Sequence, residues 1–234
     1  MEKTGKIYGV SLGPGDPDLI TLKGLKILEK VDKIYFPGSL YADGSKLSYA
    51  MSILENYSLD STKMQGFYLE MDLERVQAKK VYETTYQLIK KDYEKGLSIA
   101  VVSEGDLNTF SSFSYILEKI LADKLSVSLV PGITSYAMGA SENLAPLCLQ
   151  NDRLLIIPRV QTEAQLQEAL DNYDTVVLMK IKSVIPVLEA VLSKKAYRIN
   201  YSEKLGTAAQ FTSSNWEEII TRDIPYFSLI TIRK

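Results

Sequence analysis

Three short loops rich in glycine, proline and acidic residues hold the side-chain types best suited to enclose a small ligand. They read GPGDP (13–17), SEGD (103–106) and PGITS (131–135), and each follows an apolar run. The first does not complete the dinucleotide pattern G-x-G-x-x-G, because Asp18 stands at its third glycine. A phosphate loop is also excluded, since no Gly-Lys-Ser/Thr run follows and Asp16 adds negative charge. We expect these loops to present backbone to a ligand without phosphate, or to be tight turns.

The composition excludes several classes of catalyst. The 234 residues contain no histidine, which excludes Ser-His-Asp and Cys-His catalysis and histidine-ligated metal. Cys148 is the single cysteine, so no internal disulfide forms and a structural zinc site is not expected; we interpret Cys148 as a buried filler. With 27 basic and 29 acidic residues, the net charge of −2 argues against binding of nucleic acid by bulk charge.

The same sequence predicts a protein of a reducing, cytoplasmic compartment. A single cysteine is typical of such proteins. The first residues, MEKTGKIYGV, contain no signal-peptide pattern. No run of about 18 apolar residues is present, so we expect no membrane span.

The order of apolar and polar segments predicts an α/β protein. In the first half, strands alternate with helices, which indicates a parallel sheet covered on both faces. Thr21 is the predicted N-cap of the first helix, and Gly96 the predicted end of a long one. The predicted strands are 6–12, 33–39, 63–67, 97–103 and 126–130, and the predicted helices are the one after Thr21, then 46–55, 73–95, 110–123 and one after 135.

The second half repeats the alternation on a smaller scale, with a mixed sheet. Ser183 is the predicted cap of a helix that carries Pro186 in its first turn, where proline is tolerated. The other predicted elements are a strand at 153–158, a helix at 161–170, and strands at 175–180, 196–201 and 226–233. With a joint near 142–152, we predict an N-terminal domain over residues 1–145 and a smaller one over 146–234.

The three loops are predicted to share one edge of the first sheet. The carboxyl ends of parallel strands lie together, and open α/β folds bind ligands there. Glycine and proline in a single loop are accounted for by a tight turn. Three such loops at one edge, two of them with aspartate, favour a binding site.

Five segments together resemble the tetrapyrrole methylase family, whose members use S-adenosylmethionine. The resemblance extends over nearly the whole chain, and SEGDLNTFSSFSYILEKI (103–120) with PYFSL (225–229) is most similar to its C(20)-methyltransferases of cobalamin (vitamin B12) synthesis. It implies two α/β domains, the donor in the cleft between them, a homodimer, and precorrin-2 or cobalt-factor-2 as substrate. The five segments are GVSLGPGDPDLITLKG (9–24), VVSEGD (101–106), VPGITS (130–135), VLMK (177–180) and PYFSLITIRK (225–234).

The resemblance also implies roles for individual residues. Glu104, Asp106 and Tyr115 are the catalytic candidates: either acid could assist proton removal, and Tyr115 could line the substrate trough or belong to the core. No essential catalytic residue and no protein-bound metal are expected. The mouth of the substrate trough is a candidate place for Asp16, whereas Asp18 is interpreted as a helix N-terminal acid. Candidate donor-binding residues are Pro14, Gly105, Asp106, Thr109, Thr134, Ser135, Met179, Gly206 and Ala208, and candidate contacts for substrate carboxylates are Lys180, Lys182, Arg153 and Arg159.

One departure from the family pattern affects the second loop. The family has proline after the aspartate of SEGD, where this chain has Leu107. The loop still offers its backbone, but the substrate wall that it forms differs.

Methyl transfer from a sulfonium to a carbon suits a chain without histidine. The leaving group is already activated, so the protein needs to align donor and acceptor and exclude water, with no nucleophile of its own. Three other interpretations remain open: a corrin-ring methylase that acts at another carbon, a non-catalytic tetrapyrrole- or S-adenosylmethionine-binding protein, and a dinucleotide-dependent oxidoreductase. Asp18 at the third glycine position disfavours the last.

Overall fold

The computed structural model describes residues 5–70 and 75–234. Contacts divide the chain into two compact units, residues 1–134 and 135–234. This division comes earlier than the proposed boundary between residues 145 and 146, because helix α5 (Ser135–Glu142) packs on strands of the second unit. Asn143, at the end of α5, donates from Nδ2 to Ser202 Oγ at 2.9 Å.

The sheet of the first unit is parallel apart from one short strand. Within the described residues its order is β3-β2-β5-β1-β6, and β4 pairs with β2. Only the β2–β3 pair is antiparallel. The strands are β1 (Lys6–Ser11), β2 (Lys33–Leu40), β3 (Lys46–Leu47), β4 (Met64–Glu70), β5 (Ser98–Ser103) and β6 (Val127–Val130).

Helices cover both faces of this sheet, as predicted. Along β5, Ile99 and Val101 contribute to one core, and Ala100 and Val102 to the other. This alternation is the two-residue period of a strand whose faces are both buried. The second core contains α1 (Leu22–Leu28) and α2 (Tyr49–Leu54), and the first contains α3 (Arg75–Glu94) and α4 (Ser114–Ala122).

Local capping fixes where these helices begin and end. Thr21 Oγ1 accepts the Gly24 N–H at 3.1 Å, which confirms the predicted cap of α1. Gly96 follows the end of α3 with a φ of 79°, a left-handed conformation that suits glycine. The predicted start of α3, residues 73 and 74, lies outside the described residues.

The second unit contains a mixed sheet, as predicted. Its order is β10-β9-β11-β8-β7 among the described residues, and only β7–β8 is a parallel pair. The strands are β7 (Leu154–Ile157), β8 (Thr175–Met179), β9 (Arg198–Glu203), β10 (Phe211–Ser213) and β11 (Ser228–Arg233); the helices after α5 are α6 (Glu163–Asn172), α7 (Ile185–Leu192) and α8 (Trp216–Ile220).

Three local predictions were wrong. Ser183 does not cap α7, because a 3₁₀ helix over Ile181–Val184 leads directly into it and Val184 occupies the cap position without a side-chain bond. Helix α4 starts at Ser114 instead of 110, since Phe110 has a φ of 52° that interrupts a helix. Cys148 is exposed rather than buried, because it lies in the loop between α5 and β7.

Among the described residues, no helix combines the length and the apolar character that a membrane crossing would require.

Candidate functional site

The carboxyl edge of the first sheet brings the three loops together. Strands β5, β1 and β6 are parallel neighbours, so the loops that follow them start side by side. Two backbone bonds join the first two loops: Gly105 N–H donates to Gly13 O at 2.7 Å, and Gly13 N–H donates to Gly105 O at 3.2 Å. The two glycine loops therefore form one continuous backbone surface.

Gly105 leaves an open space beside this surface. Its φ is 65°, and a Cβ built on it would meet no atom within 4 Å. The left-handed backbone angle therefore favours glycine, and the room next to its Cα is free for a ligand. This is the feature expected of a loop that offers backbone to a small molecule.

The Asp106 side chain ties the three loops to one another. It is 9% exposed, and its Oδ2 accepts the Gly132 N–H at 2.8 Å and the Ser11 hydroxyl at 3.4 Å. Its Oδ1 accepts the Asn108 N–H at 2.9 Å and the Thr109 hydroxyl at 3.4 Å. The carboxylate is thus saturated by four donors, one or more from each strand end.

Ser11 and Gly132 complete this arrangement and were missed by sequence reasoning. Ser11 is fully buried at the end of β1, and its Oγ also accepts the Leu107 N–H at 3.0 Å. A Cβ on Gly132 would lie 2.5 Å from Ser11 Cβ and 3.0 Å from Gly105 O. Gly132 is therefore needed for close packing of the third loop. The one available signal was a serine inside the apolar run of β1.

Glu104 directs its carboxylate toward helix α2. Its Oε1 accepts the Ala50 N–H at 3.1 Å, at the start of α2. Burial raises the pKa of this carboxyl, and the hydrogen bonds from Ala50 and from its own backbone lower it only in part. No lysine or arginine of the described residues forms an ion pair with it.

The structure shows the local contacts of the remaining predicted residues of the first loop. Pro14 is half-buried between Gly13 and Gly15. Asp16 caps a 3₁₀ helix over Pro17–Leu19, since its Oδ1 accepts the Asp18 N–H at 2.9 Å, and Asp18 is exposed.

Tyr115 lies on α4, whereas Thr134 and Ser135 are the last two residues of the third loop. Tyr115, on α4, packs against the ring of Tyr82 with centroids 5.2 Å apart, beside the core shared with α3. Thr134 is half-buried at the end of the loop, and Ser135 is the first residue of α5.

In the second unit, the structure brings Met179 and Gly206 to one end of the sheet. Strands β8 and β9 both run antiparallel to β11, so their carboxyl ends flank its start. Lys180 N–H donates to Ser228 O at 2.8 Å on one side. The loop that contains Gly206 begins on the other side of β11. Gly206 has a φ of 74°, and its N–H donates to Gln210 Oε1 at 2.7 Å. Ala208 is exposed in that loop.

The four predicted cations are not gathered at one place. Lys180 Nζ lies 5.3 Å from the ring centroid of Tyr226, at the end where Met179 lies. Lys182 is exposed and pairs with Asp223 at 3.4 Å. Arg153 and Arg159 line one open groove of about 600 Å³ along β7, but only Arg159 follows the carboxyl end of that strand.

A buried ion pair precedes the Gly206 loop and was also missed. Glu203 is 2% exposed at the end of β9, and Arg222 Nη2 donates to its Oε1 at 2.6 Å. The Tyr201 hydroxyl donates to the other oxygen, and the Arg222 guanidinium stacks 3.7 Å from the Phe211 ring centroid. Burial raises the pKa of Glu203, but the bonds from Arg222 and Tyr201 outweigh it and leave the pKa lowered.

The described residues contain no group of three or more His, Cys, Asp or Glu side chains placed to hold a metal ion.

This chain is similar to members of one protein family, and two of these relatives match it over most of their own length. The family model for tetrapyrrole (corrin/porphyrin) methylases matches residues 6–219. A cobalt-precorrin-2 C(20)-methyltransferase of Salmonella typhimurium is 28% identical over 98% of this chain and 97% of its own length. A probable cobalt-precorrin-2 C(20)-methyltransferase of Methanocaldococcus jannaschii is 31% identical over 83% of this chain and 80% of its own.

A solved structure supports the fold. The uroporphyrin-III C-methyltransferase of Thermus thermophilus, crystallised with S-adenosylhomocysteine, has a TM-score of 0.67 and 17% identity, and covers 98% of both chains.

Proposed function

Because this chain belongs to the tetrapyrrole methylase family, we propose that it transfers the methyl group of S-adenosylmethionine to carbon 20 of precorrin-2 or a cobalt-bearing counterpart such as cobalt-factor-2. The observation that carries this proposal is the end-to-end similarity to a C(20)-methyltransferase. The step belongs to cobalamin biosynthesis. Within the family, a corrin-ring methylase acting at another carbon is the alternative.

The first unit fits a donor without phosphate. Gly105 has free space next to its Cα, and Gly13 bridges to it through backbone bonds, so a ligand can approach the loop backbone closely. We propose that Pro14, the backbone of Gly105 and Asp106, and Thr109 hold the methionine part of the donor. The relative solved with S-adenosylhomocysteine supports this choice of ligand.

We assign the remaining donor contacts to Thr134, Ser135 and the second unit. Met179 and Gly206 lie at one end of the second sheet, where a side chain and a bare backbone are available to the adenosine. Ala208 is exposed nearby in sequence and leaves room for an adenine ring.

Positioning is the main contribution that we propose for the protein. When bound, S-adenosylmethionine supplies an already activated methyl group. As the C–S bond breaks, a new bond forms to carbon 20, the sulfur keeps the bonding pair, and a proton leaves carbon 20. Alignment by the rigid loops provides most of the rate, so no protein side chain is methylated on the way.

No single residue is proposed as an essential proton acceptor. Asp106 already accepts four hydrogen bonds, and Tyr115 packs on Tyr82. The Glu104 carboxylate already accepts the Ala50 N–H. Solvent or one of these groups takes the proton.

The substrate carboxylates require cations at its site. Lys180 and Arg159 are the two candidates placed at the carboxyl ends of β8 and β7, and we propose these first. Lys182 already pairs with Asp223, and Arg153 lies at the other end of β7.

We further propose a homodimer in the cytoplasm that binds no protein-held metal and no nucleic acid. The net charge of −2 supports the lack of nucleic acid, and the lack of histidine and the single cysteine support the lack of metal and the reducing compartment. The homodimer is proposed from the family resemblance.

Calorimetry and turnover test the proposal together. S-adenosylhomocysteine should bind at about one per chain and raise the thermal midpoint by mass action. NAD should not bind. A folded protein that binds neither S-adenosylmethionine nor its product would exclude the proposed activity, and binding without turnover of precorrin-2 or cobalt-factor-2 would favour a non-catalytic binding protein.

A further inference from the structure

The loop that contains Gly206 is held by the side chain of Gln210. Gln210 Oε1 accepts the Gly206 N–H at 2.7 Å, and Gln210 Nε2 donates to Glu142 Oε2 at 2.6 Å. We propose that Gln210 is a positioning residue for the adenosine of the donor, and that Glu142 sets the orientation of its carboxamide. This inference rests on the proposed function, which places Gly206 and Ala208 beside the adenosine.

The backbone of this loop, residues 204–210, forms two successive turns. Thr207 N–H donates to Lys204 O at 3.2 Å, and Gln210 N–H donates to Thr207 O at 3.0 Å. Lys204 has a φ of 48°, and Gly206 has a φ of 74°. A left-handed angle is unfavourable for a residue with a Cβ, so the surrounding contacts must hold Lys204 in this conformation.

The Gly206 N–H is a sensitive point of the loop. It belongs to the peptide that joins Leu205, which is buried, to the part of the loop where Ala208 is exposed. The bond from this N–H to Gln210 therefore fixes the direction in which the exposed part leaves the core. A loop that is fixed before the ligand arrives loses less conformational freedom on binding, and binds more tightly.

The two partners of the Gln210 carboxamide determine its orientation. A backbone N–H can only donate, so it requires the carboxamide oxygen, whereas an ionised carboxylate can only accept, so it requires the NH2 group. Glu142 therefore holds the carboxamide in the one orientation that serves Gly206. Glu142 ends α5, and the next residue, Asn143, is bonded to Ser202 of β9 at 2.9 Å, so this end of the helix is tied to the sheet.

This role predicts an effect on binding of the donor and not on the chemical step. The adenosine forms and breaks no bond in methyl transfer, so its contacts stabilise the bound donor and the transition state equally. Loss of the Gln210 side chain should therefore raise KM for the donor and leave kcat within about twofold of the wild type.

Calorimetry with two ligands tests the binding effect. S-adenosylhomocysteine contains both the adenosine and the amino-acid part of the donor, whereas 5′-methylthioadenosine keeps the adenosine and lacks the amino acid. Gln210→Ala should weaken both ligands about tenfold, equivalent to 1.4 kcal/mol.

The matched control is Gln167→Ala in helix α6. Gln167 is also half-buried, and its Nε2 donates to Asp171 Oδ1 at 2.9 Å. This variant loses a similar bond away from the loop, so both affinities should stay at their wild-type values. Without ligand, its thermal midpoint should match that of Gln210→Ala.

A reversal of polarity separates positioning from a general loss of structure. Gln210→Glu keeps an acceptor for Gly206 but places a second carboxylate against Glu142, and should weaken both ligands about fivefold. Addition of Glu142→Gln supplies an NH2 group that donates to the introduced carboxylate, so the double variant should return to within about twofold of the wild type. Glu142→Gln alone keeps an accepting oxygen and should change the affinities by less than about twofold.

Unchanged affinity in Gln210→Ala, a loss confined to S-adenosylhomocysteine, or a double variant as weak as Gln210→Glu would overturn the positioning role and leave the proposed function intact. Failure of both ligands to bind the folded wild type would overturn the proposed function, and this inference with it. Should Gln210→Ala fail to fold, Gln210→Glu and its rescue decide the question.

Discussion

Replacement of Asp106 by alanine should destabilise the first unit and weaken donor binding together. The change removes the acceptor of two backbone amides, Gly132 N–H at 2.8 Å and Asn108 N–H at 2.9 Å. A buried amide that loses its partner costs about 1–3 kcal/mol. Asn108 is exposed and regains a water, whereas Gly132 is half-buried, so the loss comes mainly from Gly132 and we expect about 1–3 kcal/mol.

The two hydroxyl contacts of Asp106 add little to this figure. Ser11 Oγ and Thr109 Oγ1 both lie 3.4 Å from the carboxylate, which is long for a hydrogen bond, and a hydroxyl can rotate to another acceptor. Asp106→Asn keeps one accepting oxygen and presents an amide NH2 group, which cannot accept a hydrogen bond, to the other donor. It should therefore lose about half as much stability as the alanine variant.

Urea denaturation followed by two probes measures the effect. Circular dichroism reports the whole chain, while the fluorescence of the single tryptophan, Trp216, reports the second unit. The loss should appear in the transition of the first unit, and the affinity for S-adenosylhomocysteine should fall with it. The exposed Asp18→Asn is the control and should change stability by less than about 0.5 kcal/mol. An Asp106→Ala protein as stable as the wild type would refute the view that this carboxylate joins the three loops.

Three further changes test separate parts of the structure. Gly105→Val should weaken the binding of S-adenosylhomocysteine at least about tenfold in calorimetry, equivalent to 1.4 kcal/mol. Gly44 also has a positive φ and open space beside it, so Gly44→Val is the control: it should lower the thermal midpoint to a similar extent without affecting binding. Arg222→Met leaves Glu203 buried without its cation, so urea midpoints at pH 7 should fall more than in Thr21→Ala, which loses a helix cap worth about 1 kcal/mol. The pKa of Glu203 is lowered in the folded protein, so the stability from its pairing is fully present above the unfolded pKa. The loss of stability in Arg222→Met should therefore shrink as the pH falls through the lowered pKa. An equal loss at pH 7 and pH 3 would contradict this.

The sheets were predictable because their strands alternate or remain apolar over short runs. Residues 6–12 and 97–103 are nearly continuous apolar segments, and β1 and β5 are buried on both faces, where such a pattern is required. The Thr21 cap was also predictable, because a helix cap depends on residues only a few positions apart in the sequence. Membership of the tetrapyrrole methylase family was recognised from the loop segments and is confirmed by the family match.

Short elements were less predictable, since they depend on partners distant in sequence. Strand β3 forms at residues 46 and 47 only because the end of β2 extends past β5 and offers unpaired backbone. The helix predicted from residue 46 therefore begins at Tyr49. Phe110 keeps α4 from beginning at residue 110, through a backbone angle that its residue type does not predict.

The position of the candidate site followed from the sequence, but its internal contacts did not. Three loops at one edge follow from parallel strands alone. The bond between Ser11 and Asp106 joins residues 95 positions apart, and the contact between Glu104 and Ala50 joins residues 54 apart. No spacing rule predicts such pairs. For this reason Glu104 and Asp106 looked equivalent as acids in the sequence and differ in the structure.

The most direct test of the proposed function is the position of the transferred methyl group. The purified protein is incubated with S-adenosylmethionine labelled with ¹³C in its methyl group, and with precorrin-2 or cobalt-factor-2. Nuclear magnetic resonance of the product should then show one label per macrocycle, bound to carbon 20. A label at another ring carbon would assign the chain to a different step of the family, and a folded, donor-binding protein that gives no labelled product would contradict the proposed activity.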